Sequence, residues 1–453
     1  NCVVFTFVVI MIFATCFVFF VALIKIDCSA RYVKSRNGLT SVPLDIPNNT
    51  TEIDLSNNAL TAITNDDFKN FSLLMKLFLG YNSLSTVSPA AFDNTPLQFL
   101  HLQHNPLNSF LFFPALVTSL TNFRMVRCGI SNQNWDLVVQ YERLEMLYLG
   151  SNMLQSVPNI SKTAGSLVLL ALEDNLIEFI NASSLNGLIK LQFLYLGENN
   201  LKNIHGSLNL PSLTQLWATR NKLMDFPAVS LLTKVTQLHL NSNNISLVAH
   251  DALENNNDLI YLHLDDNRLT LVPNITKMEK NLLSLTLHSN MIRHIPMNYF
   301  QRCTALKTIS LANNVLTSIL WVKSIGPSVE ILNLTNNHIT GDIAFDSFVN
   351  ATGLTEIYFG KNNISNFDPN NFRVLSKLKK LNLNNNLITE LHNPYLHCPV
   401  GSCGNLNIEA ENNQIPCDEK LCWAKTGSKI NLTVSCPGGV IWDTLSATSL
   451  NCQ

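Results

Sequence analysis

The stretch LYLGSNMLQSVPNIS, residues 147–161, sets one amide among apolar residues. The alternation in LYL marks a short strand with Leu147 and Leu149 pointing inward, and Leu154 continues the apolar face. Asn152 lies on that face too, and the arrangement keeps returning. EIDLSNNAL ends at Leu60, KLFLGYNSL at Leu84, FLHLQHNPL at Leu107, YLHLDDNRL at Leu269 and TISLANNVL at Leu316. The aligned amides are Asn58, Asn82, Asn105, Asn152, Asn175, Asn199, Asn221, Asn243, Asn267, Asn290, Asn314, Asn337, Asn362, Asn386 and Asn413, with Cys128 in the fourth position. Spacings are 22–25 residues until a last step of 27. A fixed period of this size means stacked structural units, each turn covering the apolar face of the next.

The amide has a physical reason. A turn after each strand leaves backbone N–H and C=O groups facing the interior, and each one left unpaired costs roughly 1–3 kcal/mol. Asn carries two donors and an acceptor on a short stem. In a stack it reaches the backbone of its own turn and of the neighbouring one. Cys128 replaces it as a small, buried, weak donor. Surface amides in loops would not keep this register.

These residues resemble the leucine-rich-repeat pattern LxxLxLxx(N/C)xL, in about sixteen units over residues 50–416. The resemblance implies an α/β solenoid: a horseshoe with a parallel β-sheet on its concave face and a mostly irregular or short-helical convex side. Phe68, Phe92, Phe300, Phe348 and Phe372 in the second halves of units resemble the "typical" extracellular class. HITGDI (338–343) resembles the plant class once. Residues 31–49 read as a degenerate N-terminal cap, with Lys34 where the family carries a cysteine. Residues 417–453, CDEKLCWAK…SCPGG…LNC, resemble the family's cysteine cap with shorter spacing. The pairing expected there is Cys417–Cys436 and Cys422–Cys452, with Cys398–Cys403 closing an insertion, although four cap cysteines allow three pairings.

Composition sets the class of partner. Charged residues make up 14% of the chain, the formal net charge is −2, and no Lys/Arg run appears, which argues against nucleic acid. Residues 3–24 carry no charge and read, within 1–30, as a signal peptide or signal-anchor; cleavage after Ala30 would remove Cys2, Cys16 and Cys28. A secreted chain with no membrane segment after cleavage is expected. Cys128 and Cys303 are isolated and are expected free and buried.

On such a solenoid the residue between the two strand leucines points out of the concave sheet. Aromatic and basic side chains gather there in Phe78, His101, Arg124, Tyr148, Tyr195, Trp217, His239 and His263. The neighbouring column adds Phe99, Met146, Phe193 and Tyr261. These positions face away from the core, so core packing does not require them, and exposed aromatic stripes mark interaction sites. Arg127 and Arg220 add charged anchors. Sequons begin at Asn48, Asn49, Asn70, Asn159, Asn181, Asn244, Asn274, Asn333, Asn350, Asn363 and Asn431. Most fall outside the stripe, whereas Asn333 points out of the polar C-terminal half of the sheet, where a glycan would obstruct it.

His263, Asp265 and Asp266, with His239 one repeat away, form a possible cation cluster, but solvated carboxylates are the commoner case and no metal or cofactor is expected. No nucleophile elbow, phosphate loop or HExxH occurs, and no enzyme activity is expected. The sequence reads as a secreted protein that binds an extracellular protein or glycan through its concave face, in adhesion or innate immune recognition. A self-associating matrix protein and a truncated Toll-like receptor ectodomain are the alternatives.

Overall fold

The computed structural model describes residues 30–157, 160, 165–394, 405–425 and 430–452. The proposed leader, the Cys398–Cys403 pair and the Asn159 sequon therefore lie outside the described residues. An 18-stranded parallel sheet runs the length of the molecule. Its first strand is Arg31–Val33 and its last Asn431–Val434; between them come sixteen repeat strands, from Glu52–Asp54 to Asn407–Ala410. Each pairs with the next repeat in constant register, as Leu147 does with Leu170 and Leu170 with Leu194. Most strands are three residues long, with the middle residue buried and its neighbours half-buried. That pattern is what one inward leucine between two outward side chains produces.

The other side of each turn is irregular, with short 3-10 segments such as Pro114–Leu116, Leu320–Ser324 and Pro369–Arg373. Among the described residues the one α-helix is Cys422–Lys425. The plant-like HITGDI does something distinct: Thr340–Ile343 pairs in parallel with Asn363–Phe367, forming a second small sheet. Two further two-stranded pairs lie at Ala62–Ile63 with Thr86–Val87 and at Phe179–Asn181 with Asn203–His205.

The space between sheet and convex side is filled by leucines and a file of phenylalanines. Phe68, Phe92, Phe113, Phe300 and Phe348 are all at most 1% exposed. Phe68 and Phe92 lie 5.9 Å apart, Phe92 and Phe113 4.9 Å, in tilted and edge-on contacts that aromatic quadrupoles favour.

The amides form a continuous polar seam through this core. Asn199 donates to the carbonyls of Leu196 and Leu172 at 3.2 and 2.9 Å and accepts from the Ile177 amide at 3.0 Å. Each ladder Asn repeats this scheme, bonding its own turn and the preceding one. At Cys128 the thiol donates to Leu102 O at 3.2 Å but offers no oxygen to the preceding turn. There the Leu107 amide bonds Asn105 O instead, at 2.9 Å. Cys128 and Cys303 are free and buried.

Both ends of the repeat array are covered by an added strand. Near the N-terminus, where the described residues hold no disulfide, Asn58 accepts from the amides of Asn37 and Leu39 and donates to Lys34 O, tying the first strand to the second turn. At the C-terminus Asn431–Val434 pairs with Asn407–Ala410, so the last repeat keeps no bare edge. Cys417 is bonded to Cys436 and Cys422 to Cys452, with Cα–Cα distances of 5.5 and 5.4 Å.

Candidate binding face

The constant register turns single outward residues into rows. Phe78, His101, Arg124, Tyr148 and Ala171 are direct partners on successive strands, and Tyr195, Trp217, His239 and His263 continue the line. Phe99, Met146, Phe193 and Tyr261 occupy the adjoining row.

Strand spacing of about 4.8 Å forces these large side chains onto one another. Phe78 meets His101 edge-on at 4.9 Å. The Arg124 guanidinium lies 4.0 Å from the Tyr148 ring centroid. Tyr195 meets Trp217 edge-on at 5.9 Å, Trp217 covers His239 at 4.0 Å, and His239 abuts His263 at 4.5 Å. Phe193 and Tyr261 flank the row at 6.4 Å from Tyr195 and 6.3 Å from His263. Ala171 separates the two groups of rings.

This packing corrects one expectation. Facing away from the core does not mean standing free. His239 is only 8% exposed, because Trp217 and His263 close over it. Trp217, at 37%, is the most exposed ring of its row. Burial pushes the imidazoles of His101 and His239 down to about 4, with nearby Arg124 adding to the shift at His101 and His263 adding to it at His239. Burial also lowers His263, against the pull of Asp265.

Three polar groups beside the N-terminal ring cluster and the Ala171 strand are under-satisfied. Gln103 Oε1, Arg124 Nε and Glu173 Oε2 are buried without a hydrogen-bond partner among the described residues. Burial holds the Glu173 carboxyl above its usual range. Arg220 lies at the edge of the face, paired with Glu198 at 2.7 Å. The cation cluster also assembles differently from expectation: Asp265 and Asp266 face His288, with one ligand atom from each within 4.8 Å of the others, and His263 is not part of it. The Asn333 side chain is half-buried on the sheet face, its oxygen accepting from the Thr335 amide at 3.1 Å. The sequon residues Asn49, Asn70, Asn181, Asn350, Asn363 and Asn431 are exposed, while Asn244 and Asn274 are half-buried.

One row went unread in the sequence. The residue before each ladder position is left-handed, for example Tyr81, His104, Arg127, Ser151, Asp174 and Glu198, with φ between 53° and 56°. Tyr81 and His104 stack there at 4.1 Å. The signal was present, since Asn, Asp and Ser occupy many of these positions, and Asn and Asp tolerate that conformation best.

A family model described as leucine rich repeat matches residues 48–107, 280–339 and 327–388. Bovine (Bos taurus) lumican is 29% identical over 265 residues, covering 55% of this chain and 75% of lumican. Mouse (Mus musculus) podocan is 27% identical over 387 residues, covering 80% of this chain and 61% of podocan. Among solved structures, a Leptospira interrogans leucine-rich-repeat protein overlays with a TM-score of 0.70 at 23% identity, covering 88% of this chain and 94% of that one. A chain of the Drosophila Toll–Spätzle complex overlays with a TM-score of 0.66 at 17% identity, covering 88% and 57%. Among the described residues no helix is long and apolar enough to cross a membrane. The repeat model and the overlaid solenoids agree with the stacked parallel strands, and the chain belongs to the leucine-rich-repeat proteins, its two C-terminal disulfides fitting a cap.

Proposed function

We propose that the protein is secreted and binds an extracellular protein or glycan partner through its concave face, without catalysis. The observation that carries this is the ring cluster Tyr195–Trp217–His239–His263. It lies on the outer face of the sheet, contributes nothing to the leucine core, and still gathers the largest side chains of that face. Aromatic residues set in a rigid frame are the anchors that dominate binding energy. Relatives of the lumican and podocan kind support an extracellular matrix setting, and the Toll–Spätzle complex is a solenoid of this fold holding a protein. Adhesion and innate immune recognition both fit this reading.

A second reading, self-association in a matrix, is favoured by the same row, which another copy could cover. Sedimentation of the purified chain over a concentration series tests the two. A monomer at all concentrations supports the recognition role. A dimer that dissociates on Trp217→Ala moves the self-associating reading ahead. A Toll-like receptor ectodomain is the remaining alternative, and it requires a membrane helix and signalling domain in a longer transcript.

A further inference from the structure

We infer that the irregular side of the solenoid carries two sugar-binding cavities, filled by the first residues of N-linked glycans that the chain itself bears at Asn274 and Asn350. This rests on the reading of the chain as secreted.

The two cavities are neighbours. One, of about 560 Å³, lies among Leu247, Leu271, Pro296 and Tyr299. The other, of about 620 Å³, lies among Met297, Leu320 and Val349. Asn298 and Gln301 line both, so the cavities share a wall. Pockets that hold small ligands span about 300–1,000 Å³. Each cavity has a sequon in its lining: Asn274 and Thr276 in the first, Asn350 and Thr352 in the second.

Both amides are held in place. Asn274 Nδ2 donates to His250 O at 3.0 Å, and its Oδ1 accepts the Thr276 amide at 3.2 Å. Asn350 Nδ2 donates to Lys323 O at 2.8 Å. His250 and Lys323 line the same cavities as the amides they hold. One bond to a carbonyl uses one hydrogen and leaves the other for replacement by sugar. At Asn274 that second hydrogen faces His250 Nε2 at 3.3 Å, on an exposed ring that can turn aside. In the transfer, Nδ2 bonds to the anomeric carbon of N-acetylglucosamine and loses one proton, while the sugar's bond to its lipid-linked pyrophosphate carrier breaks.

The apolar surface is the second, independent observation. Leu247, Leu271, Met297 and Leu320 are each 57–59% exposed, and all four line these cavities. Large apolar side chains grouped in the open mark a surface that something covers. An N-acetylhexosamine has the matching chemistry. Its ring C–H face and acetyl methyl pack on Leu271 and Pro296, or on Met297 and Leu320, while its hydroxyls reach Asn298 and Gln301. Tethering gives the sugar a high effective concentration, so weak contacts suffice to seat it.

The full chain, with an added initiator Met, is expressed in a eukaryotic secretory cell line, and glycopeptides of the secreted protein are mapped by mass spectrometry. Hydrogen exchange over 296–303 and 320–327 is then compared in three forms: intact, trimmed to one N-acetylglucosamine per site, and fully stripped. The amides of Tyr299, Gln301, Val322 and Ile325 are bonded within these segments or beside them, so their exchange reports local opening. The expected result is sugar at both Asn274 and Asn350, equal exchange in the intact and trimmed forms, and exchange faster by about threefold or more in the stripped form. T276A should reproduce the loss at 296–303 and T352A that at 320–327, each keeping its Asn bond to the preceding repeat. S72A, which removes the exposed Asn70 sequon outside both cavities, should change neither. Where a Thr variant is not secreted, the stripped parent supplies the comparison. Empty Asn274 and Asn350 on a secreted chain overturn the proposal, as does unchanged exchange on stripping; the secreted reading survives both results. Acceleration already on trimming to one sugar also overturns it, by assigning the protection to the outer sugars. A chain that stays inside the cell with no sequon modified ends both readings.

Discussion

Asn152 Oδ1 accepts the amides of both Cys128 and Ile130, at 2.9 and 3.0 Å, while Cys128 returns no acceptor to the repeat before it. The two residues hold equivalent places in the seam but unequal shares of its bonds. Asn152 also donates to Met125 O and Leu149 O, each at 2.9 Å. Asn152→Ala should therefore orphan several buried groups and lower stability by about 2–3 kcal/mol. Cys128→Ala should cost about 1 kcal/mol, the loss of one weak thiol donor. Urea denaturation of both variants checks the ranking; equal costs would refute the unequal seam.

The left-handed row makes a prediction about backbone. Ser151 has φ 53°. Ser151→Val should lower stability by roughly 1–2 kcal/mol, because the branched side chain crowds the following carbonyl in this conformation. Ser151→Gly should stay within about 0.5 kcal/mol of the parent, as relief of strain offsets unfolded-state entropy. Thermal melting of the pair reads the difference directly.

The buried histidines set an acid limit. His101 and His239 have folded values near 4, below the unfolded value of 6.5. Above pH 6.5 both states hold the neutral imidazole, and no stability is lost. Between 6.5 and about 4 the unfolded chain takes up protons that the folded chain refuses, so stability falls as pH falls. Melting temperature should drop across that window, and His239→Gln should flatten the drop. An unchanged slope in the variant would mean that His239 is more open than its contacts with Trp217 and His263 imply.

The C-terminal cap is stitched by a long loop. The Cys422–Cys452 bond spans 30 residues in sequence. Replacing both by Ser should cost roughly 3 kcal/mol by loop-closure entropy, and the loss should be local. Hydrogen exchange is expected to speed up in Asn431–Val434 and its partner Asn407–Ala410, leaving Leu147 and Leu170 unaffected. Uniform acceleration along the chain would contradict a locally acting cap.

The fold was legible because one residue type at one spacing carried it. An amide on an apolar face every 22–25 residues has few physical explanations, and the seam from Asn58 to Asn413 is the one found. The rows of the concave face were legible for the same reason, since register is fixed by the leucines. What the face does with its rows was less so. Period alone says that Trp217, His239 and His263 are neighbours; it does not say that their rings close over one another and bury His239. Nor does it show that Glu173 folds back over Gly150, or that His288 replaces His263 beside Asp265. Those depend on side-chain size and on room left by a neighbour one repeat away.

The single thiol in the seam has a mechanical consequence. Contacts in this molecule run from each turn to the next, so strength is set by the weakest junction rather than by the sum. Between Asn105 and Asn152 the interior rail of oxygen acceptors is interrupted once, and the Leu107 amide turns back on its own segment. A molecule stretched from its ends should part at that joint before any other, leaving a short N-terminal block and a long C-terminal one that carries the Tyr195–Trp217 cluster intact.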